Sequence, residues 1–204
     1  MNKTTMTTTT SNRAYPQTMA CEGGDLELRL LTPDDEAGVL AFARRLSAHD
    51  LLFLRRDISE PKVVAAWMDA TRDGSIVTVL ATRGGEVVGC ATIVRDLLGW
   101  SRHVGELRVL VAPELRGVGA GQRLTQESFA LALELGLEKM TAQMTVDQRG
   151  AIAVFEGLGF RAEALLRNQV KDKEGKTHDL VILSHDVAAF ASQMQAYGLT
   201  DALS

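Results

Sequence analysis

Leu107-Arg108-Val109-Leu110-Val111-Ala112-Pro113-Glu114-Leu115-Arg116-Gly117-Val118-Gly119-Ala120-Gly121-Gln122-Arg123-Leu124 carries a hydrophobic strand into a glycine-rich turn, and the turn opens a helix. The strand is rich in Leu and Val, begins near Val104 and stops at Pro113, which has no N–H for a sheet ladder. Glycines let the main chain come close to a bound group. The first amides of a helix lack internal partners and point outward, so the helix start is a ready site for phosphate. Arg116 adds positive charge at its mouth. The competing use of these glycines is a tight turn with no ligand.

Two familiar glycine motifs are tested by this stretch. A P-loop needs Gly-Lys-Ser/Thr at the helix start, and Gly121-Gln122-Arg123 does not supply it. A dinucleotide fingerprint needs GxGxxG, whereas Gly117, Gly119 and Gly121 give GxGxG with Gln122 in the place of the third glycine. Asp147 does follow the next strand, so a nucleotide-dependent oxidoreductase stays as a rival reading.

Upstream, Ile76–Thr82 and Glu86–Arg95 are β-rich runs joined by Arg83-Gly84-Gly85, a hairpin signal. Leu26, Leu28 and Leu30 alternate with Glu27 and Arg29, as on a half-buried strand. Thr32-Pro33-Asp34-Asp35 predicts a helix start running on to about Leu46, and a second helix begins near Ser59-Glu60-Pro61. Downstream, Gly119–Leu135 reads as a helix with Leu124, Ser128, Leu131 and Leu135 on one face. Lys139–Val146 reads as a strand and Gln148–Leu158 as a short helix. Glu163–Lys171 and His178–His185 flank a hairpin turn at Asp172-Lys173-Glu174-Gly175, and a last helix covers Val187–Tyr197. A meander followed by a βαβ crossover argues an α/β domain with a mixed sheet.

Residues 1–24 stand apart as a disordered Thr-rich tail, since Thr4, Thr5 and Thr7–Thr10 offer nothing to pack; the folded domain is placed at 25–204. With 46% hydrophobic and 5% aromatic residues, the core is expected to be large and mainly aliphatic. A formal charge of -4 gives no support for nucleic-acid binding, which normally brings a basic surplus. No apolar run reaches the roughly 18 residues that span a bilayer. Cys21 and Cys90 form neither a CxxC nor a Cys/His cluster, so neither a metal nor a disulfide is expected. With no apolar signal segment at the N-terminus, these features favour the cytoplasm. His49, His178 and His185 show no ligand spacing.

Arg116-Gly117-Val118-Gly119-Ala120-Gly121 fits the (Arg/Gln)-x-x-Gly-x-(Gly/Ala) signature of the GNAT superfamily of N-acetyltransferases, which this chain resembles. Leu110-Val111-Ala112-Pro113 is similar to that family's strand ending in a slightly shifted form. Gln148-Arg149-Gly150-Ala151-Ile152-Ala153-Val154-Phe155-Glu156-Gly157-Leu158-Gly159-Phe160 resembles its second block, usually Asn-x-x-Ala-Ile-x-Leu-Tyr-Glu-x-x-Gly-Phe. The resemblance covers roughly Asp25 to Asp186. It implies a single-domain GNAT-like α/β fold: a mixed, mostly antiparallel sheet with flanking helices, the fourth strand counted from Leu26 splayed from the fifth. Acetyl-CoA would lie in that gap. Its pantetheine arm would pair with Val109, Leu110 and Val111, and its pyrophosphate would sit on the amides of Arg116, Gly117, Val118, Gly119, Ala120 and Gly121. Gln148 replaces the usual asparagine, and Phe155 replaces a tyrosine whose hydroxyl protonates the leaving thiolate in many relatives. Phe155 therefore packs against the cofactor instead. Water or Tyr197 would stand in for the acid.

The resemblance implies transfer of an acetyl group to an amine acceptor, small molecule or protein, without metal or covalent intermediate. An alkylammonium of pKa about 10 must first lose a proton. Glu106 and His103 are the candidate bases, because they sit on the strand beside the acyl site. Their odd spacing puts them on opposite faces of a regular strand, and Glu106 is preferred. A non-catalytic acyl-CoA sensor is the other rival, favoured by Phe155. Ala48–Glu60 and Asp172–Thr177 are expected to border the acceptor cleft. Within the first of these, Arg55 and Arg56 either meet an acidic substrate or mark a wet loop. The late hairpin and last helix offer a surface for a homodimer.

Overall fold

The computed structural model describes residues 13–22 and 24–189. The strands are β1 (Gln17–Met19), β2 (Leu26–Leu30), β3 (Ile76–Arg83), β4 (Glu86–Arg95), β5 (Val104–Val111), β6 (Lys139–Thr145), β7 (Arg161–Lys171) and β8 (Thr177–Asp186). The helices are α1 (Glu36–Arg45), α2 (Pro61–Arg72), α3 (Ala120–Glu134) and α4 (Arg149–Gly157). All eight strands join one sheet in the order β1-β2-β3-β4-β5-β6-β8-β7. Every neighbouring pair is antiparallel except β5 and β6, which α3 connects as a parallel crossover.

Local chemistry explains the boundaries. Asp35 accepts from the Thr32 amide at 2.8 Å and the Thr32 hydroxyl at 2.9 Å, closing a capping box before α1. Arg29 grips the same carboxylate at 2.6 Å, and this hydrogen bond holds its pKa down at about 2. Val39, Phe42 and Ala43 of α1, and Val64, Trp67 and Met68 of α2, are buried at helical spacing against the sheet. Trp67 donates its indole N–H to Thr78 at 3.2 Å, and Thr78 meets Thr92 at 3.1 Å, tying α2 to β3 and β4. The opposite sheet face carries α3, which packs on β4 and β5; α4 packs on α3.

The fold starts earlier than the composition predicts. β1 pairs with β2 in register Gln17↔Leu28 to Met19↔Leu26, and Met19 is buried. Arg13 and Tyr15 both engage Glu127 of α3, at 2.7 and 2.6 Å. A boundary at Gly24 is therefore too late for residues 13–22. A three-residue strand is too short to show a period, and the neighbouring threonine tract hid it. Residues 1–12 lie outside the described residues. So does most of the expected last helix: the chain turns helical at Val187–Ala189, and residues 190–204, Tyr197 among them, are not described.

Candidate active site

β5 and β6 hold together only at Val104↔Lys139, Gly105↔Met140 and Glu106↔Thr141. Beyond these pairs the strands part, although β5 continues to Val111 and β6 to Thr145. A cavity of about 650 Å³ fills the opening. Ala112 donates its amide to Val88 of β4 at 2.9 Å. In a regular antiparallel ladder this alternation directs even-numbered β5 residues toward β4. Leu107, Val109 and Val111 therefore turn their N–H and C=O groups toward the place β6 has left.

The glycine turn sits at the mouth. Gly117 and Gly119 have φ of 78° and 85°, left-handed values that disfavour other residues. Gly121 brings α3 close to β5: a Cβ there would stand 3.6 Å from the Val111 side chain. Among the described residues, the amides of residues 117–122 make no backbone hydrogen bond, and the ladder of α3 starts with Arg123 donating to Gly119 at 3.0 Å. The turn thus presents a row of unpartnered donors to the cavity mouth.

Most of the expected cofactor residues converge. Val109, Leu110, Val111, Arg116, Gly117, Gly119, Gly121, Gln148 and Phe155 line the cavity. Val118 and Ala120 do not line it. Ala120 is buried under the turn, and the Val118 carbonyl accepts from the Cys21 thiol at 3.1 Å. Gln148 stands just before α4 and accepts from the Thr145 amide at the end of β6 at 3.2 Å. Phe155 is buried and meets Phe160 edge-on, with ring centres 4.9 Å apart.

Several pairings at the mouth had no signal in the sequence. Arg116 pairs with Asp50 at 2.9 Å, His49 with Asp147 at 3.0 Å, and His178 with Asp172 at 2.7 Å. The two imidazole rings lie 5.4 Å apart, and His49, Asp147 and His178 bring their polar atoms within 4.8 Å of one another. These contacts fasten the segment after α1 to β6, β8 and the glycine turn. Burial works against ionisation of Asp50, but the Ser47 hydroxyl and Arg116 outweigh it and lower its pKa.

A second cavity, about 270 Å³, lies on the α2 side of β5. Both cavities border Leu110. Cys90 and Thr92 of β4 and Trp67 of α2 form part of its wall. Burial pushes the Cys90 thiol up to about 12, so it carries no nucleophilic thiolate at neutral pH. Glu106 points to the same side of β5 as Arg108. It accepts from Arg108 Nε at 2.7 Å and lies 3.6 Å from Arg55. His103 is exposed and precedes β5, and its carbonyl accepts from Glu138 at 2.9 Å; neither His103 nor Glu106 is among the residues that line the two cavities. Tyr15 offers no acid, since its hydroxyl donates to Glu127 and burial raises its pKa.

Comparison with known proteins agrees with this geometry. Residues 42–160 match the acetyltransferase (GNAT) family model. A mycothiol acetyltransferase from Paenarthrobacter aurescens (strain TC1) is 28% identical over 153 residues, 74% of this chain; the chain spans about half (46%) of that relative's length. A ribosomal-protein-alanine N-acetyltransferase from Brucella melitensis superposes with a TM-score of 0.68 at 25% identity, over 78% of this chain and 98% of that one. A Salmonella typhimurium protein whose structure contains its cofactor acetyl-CoA superposes with a TM-score of 0.68 at 20% identity, over 80% of this chain and 95% of that one. The family match covers more than half of the sequence, and the chain belongs to the GNAT acetyltransferase family.

Proposed function

We propose that the protein moves an acetyl group from acetyl-CoA to a primary amine by direct attack within one ternary complex. The observation that carries this reading is the parting of β5 from β6 beside a row of unpartnered amides. The open strand edge suits the amide-bearing arm of coenzyme A, and the amides with Arg116 suit its diphosphate. In this reading Leu107–Val111 provide main-chain pairing, the turn from Gly117 to Gly121 grips phosphate, and Gln148 and Phe155 close the far wall. The second cavity receives the acceptor.

The acceptor ammonium first gives a proton to Glu106. The free amine then attacks the thioester carbonyl, forming the C–N bond. The N–H of Val109 or Val111 stabilises the oxyanion, a role the ladder register denies to Leu110. Collapse breaks the C–S bond, the new amide nitrogen loses its second proton, and the thiolate takes one up as coenzyme A thiol. One proton is released overall. Phe155 cannot donate, so water protonates the thiolate; a thiol of pKa about 8.5 leaves without further help. His103 is given no part.

Calorimetry with acetyl-CoA and a thiol-release assay over an amine panel test the proposal together. Saturable binding with amine-dependent release of thiol is expected. No binding of any coenzyme A thioester would overturn it. Tight binding without release from any amine would favour a sensor, the reading that the missing hydroxyl at Phe155 supports.

A further inference from the structure

We infer that the acceptor is a free amino acid with an apolar side chain, recognised through its carboxylate by Arg108. This inference rests on the acyl-transfer reading above and names the substrate class for the same site.

The second cavity joins two kinds of surface. Leu54, Ile58, Val63, Trp67 and Ile76 make an apolar floor beneath α2. Arg55, Arg56 and Arg108 line the same cavity, while Glu106 is the carboxylate paired with Arg55 and Arg108. The wall therefore carries more positive than negative charge, although the whole chain has a formal charge of -4. A cationic alkylammonium with no other charge gains nothing from such a wall; an amine that also carries an anion does.

Arg108 is the decisive member. Its side chain is 18% exposed, against 75% for Arg55, so its charge is far less screened by water. Its Nε is occupied by Glu106 at 2.7 Å, which fixes the plane of the guanidinium. Among the described residues, its two terminal nitrogens make no hydrogen bond. A half-buried guanidinium with its terminal fork free is the geometry that binds a planar carboxylate through two parallel N–H···O bonds. Arg108 stands two residues from Leu110, which borders both cavities, so a carboxylate held there keeps an amine on the adjacent carbon near the thioester. The apolar floor takes the side chain. Peptide N-termini lack that carboxylate and are not favoured.

Thiol release is measured with acetyl-CoA and three matched acceptors: L-leucine, L-leucinamide and 3-methylbutylamine. Leucine is expected to give kcat/KM roughly 10–100-fold above each of the others. Leucinamide has the more easily deprotonated amine, so intrinsic reactivity works against this result. In R108Q the leucine-to-leucinamide ratio should fall to near one, with the loss in KM; R108K, which keeps the charge without the fork, should fall between. Equal or better use of leucinamide by the wild-type protein would overturn the inference without any variant, while leaving acyl transfer intact. An unchanged ratio in folded R108Q, judged by retained acetyl-CoA binding, would do the same. No release from any amine would remove the parent reading, and the inference with it.

Discussion

On its β6 side, β5 borders a cavity built from main chain; on its α2 side, it borders one built from side chains. The anion grip of the first depends on unpaired peptide groups, left-handed glycines and a helix start, which lie in one continuous run of sequence, although β6 and α4 complete its wall. The second depends on Arg55, Arg56, Arg108, Trp67 and Cys90, which come from a loop, a helix and two strands. On the proposed reading the first cavity holds acetyl-CoA, a fixed molecule, so a backbone mould serves it. The acceptor differs between enzymes, and side chains are what a scaffold exchanges most freely.

This contrast can be broken from either side, starting with the largest effect. Glu106→Gln should lower kcat by about 10²–10⁴-fold while leaving acetyl-CoA affinity as it is, because the residue lies outside the cofactor cavity. Stopped-flow turnover paired with calorimetry reads both; an equal loss in affinity would mean the two sides are not separate. Gly119→Val places a branched side chain at a φ of 85°. It should weaken acetyl-CoA binding by roughly 10–100-fold through the turn geometry alone, since no atom stands near the new Cβ. Calorimetry on the variant would refute this if affinity held.

Smaller effects sharpen the same distinction. Asp50→Asn frees Arg116 from a partly exposed ion pair at the border of the first cavity. Acetyl-CoA should bind about two- to fivefold more tightly, the span expected for such a pair; weaker binding would show that Asp50 holds the mouth together instead. The least effect is expected at Cys90. Its thiol, raised to about 12 by burial, stays protonated at pH 8. Iodoacetamide should leave Cys90 unmodified in the folded protein, as read by peptide mass spectrometry. Modification with loss of turnover would reopen a covalent route through the acceptor side.

The uneven legibility of the sequence follows the same division. Pro113, the glycines at 117, 119 and 121, and the block from Gln148 to Phe160 lie in contiguous runs, and their periods and spacings are local facts. They were enough for the sheet, the crossover and the mouth of the first cavity. Arg116–Asp50, His49–Asp147 and Arg13–Glu127 join residues far apart in the chain, with no repeat to announce them. Arg108 was equally silent. On a strand it is one charge among apolar neighbours, and only the fold shows that its Nε is occupied and its fork is free. Alternation set Glu106 and His103 on opposite faces of one strand, but His103 lies in the turn before β5, outside the strand to which that rule applies.

The divergence of β5 and β6 has a consequence for the protein between turnovers. From Leu107 onward the sheet is a seam left unstitched, with no strand paired to β5 where a neighbour would ordinarily sit. An occupant that bridges this seam acts as a removable ninth strand. Folding and metabolite supply are then one equilibrium: at 100 times its dissociation constant, such a ligand adds about 2.7 kcal/mol to stability. On the proposed reading that occupant is acetyl-CoA, so starvation for thioester would loosen the architecture itself, and the protein's lifetime would become a gauge of its own substrate.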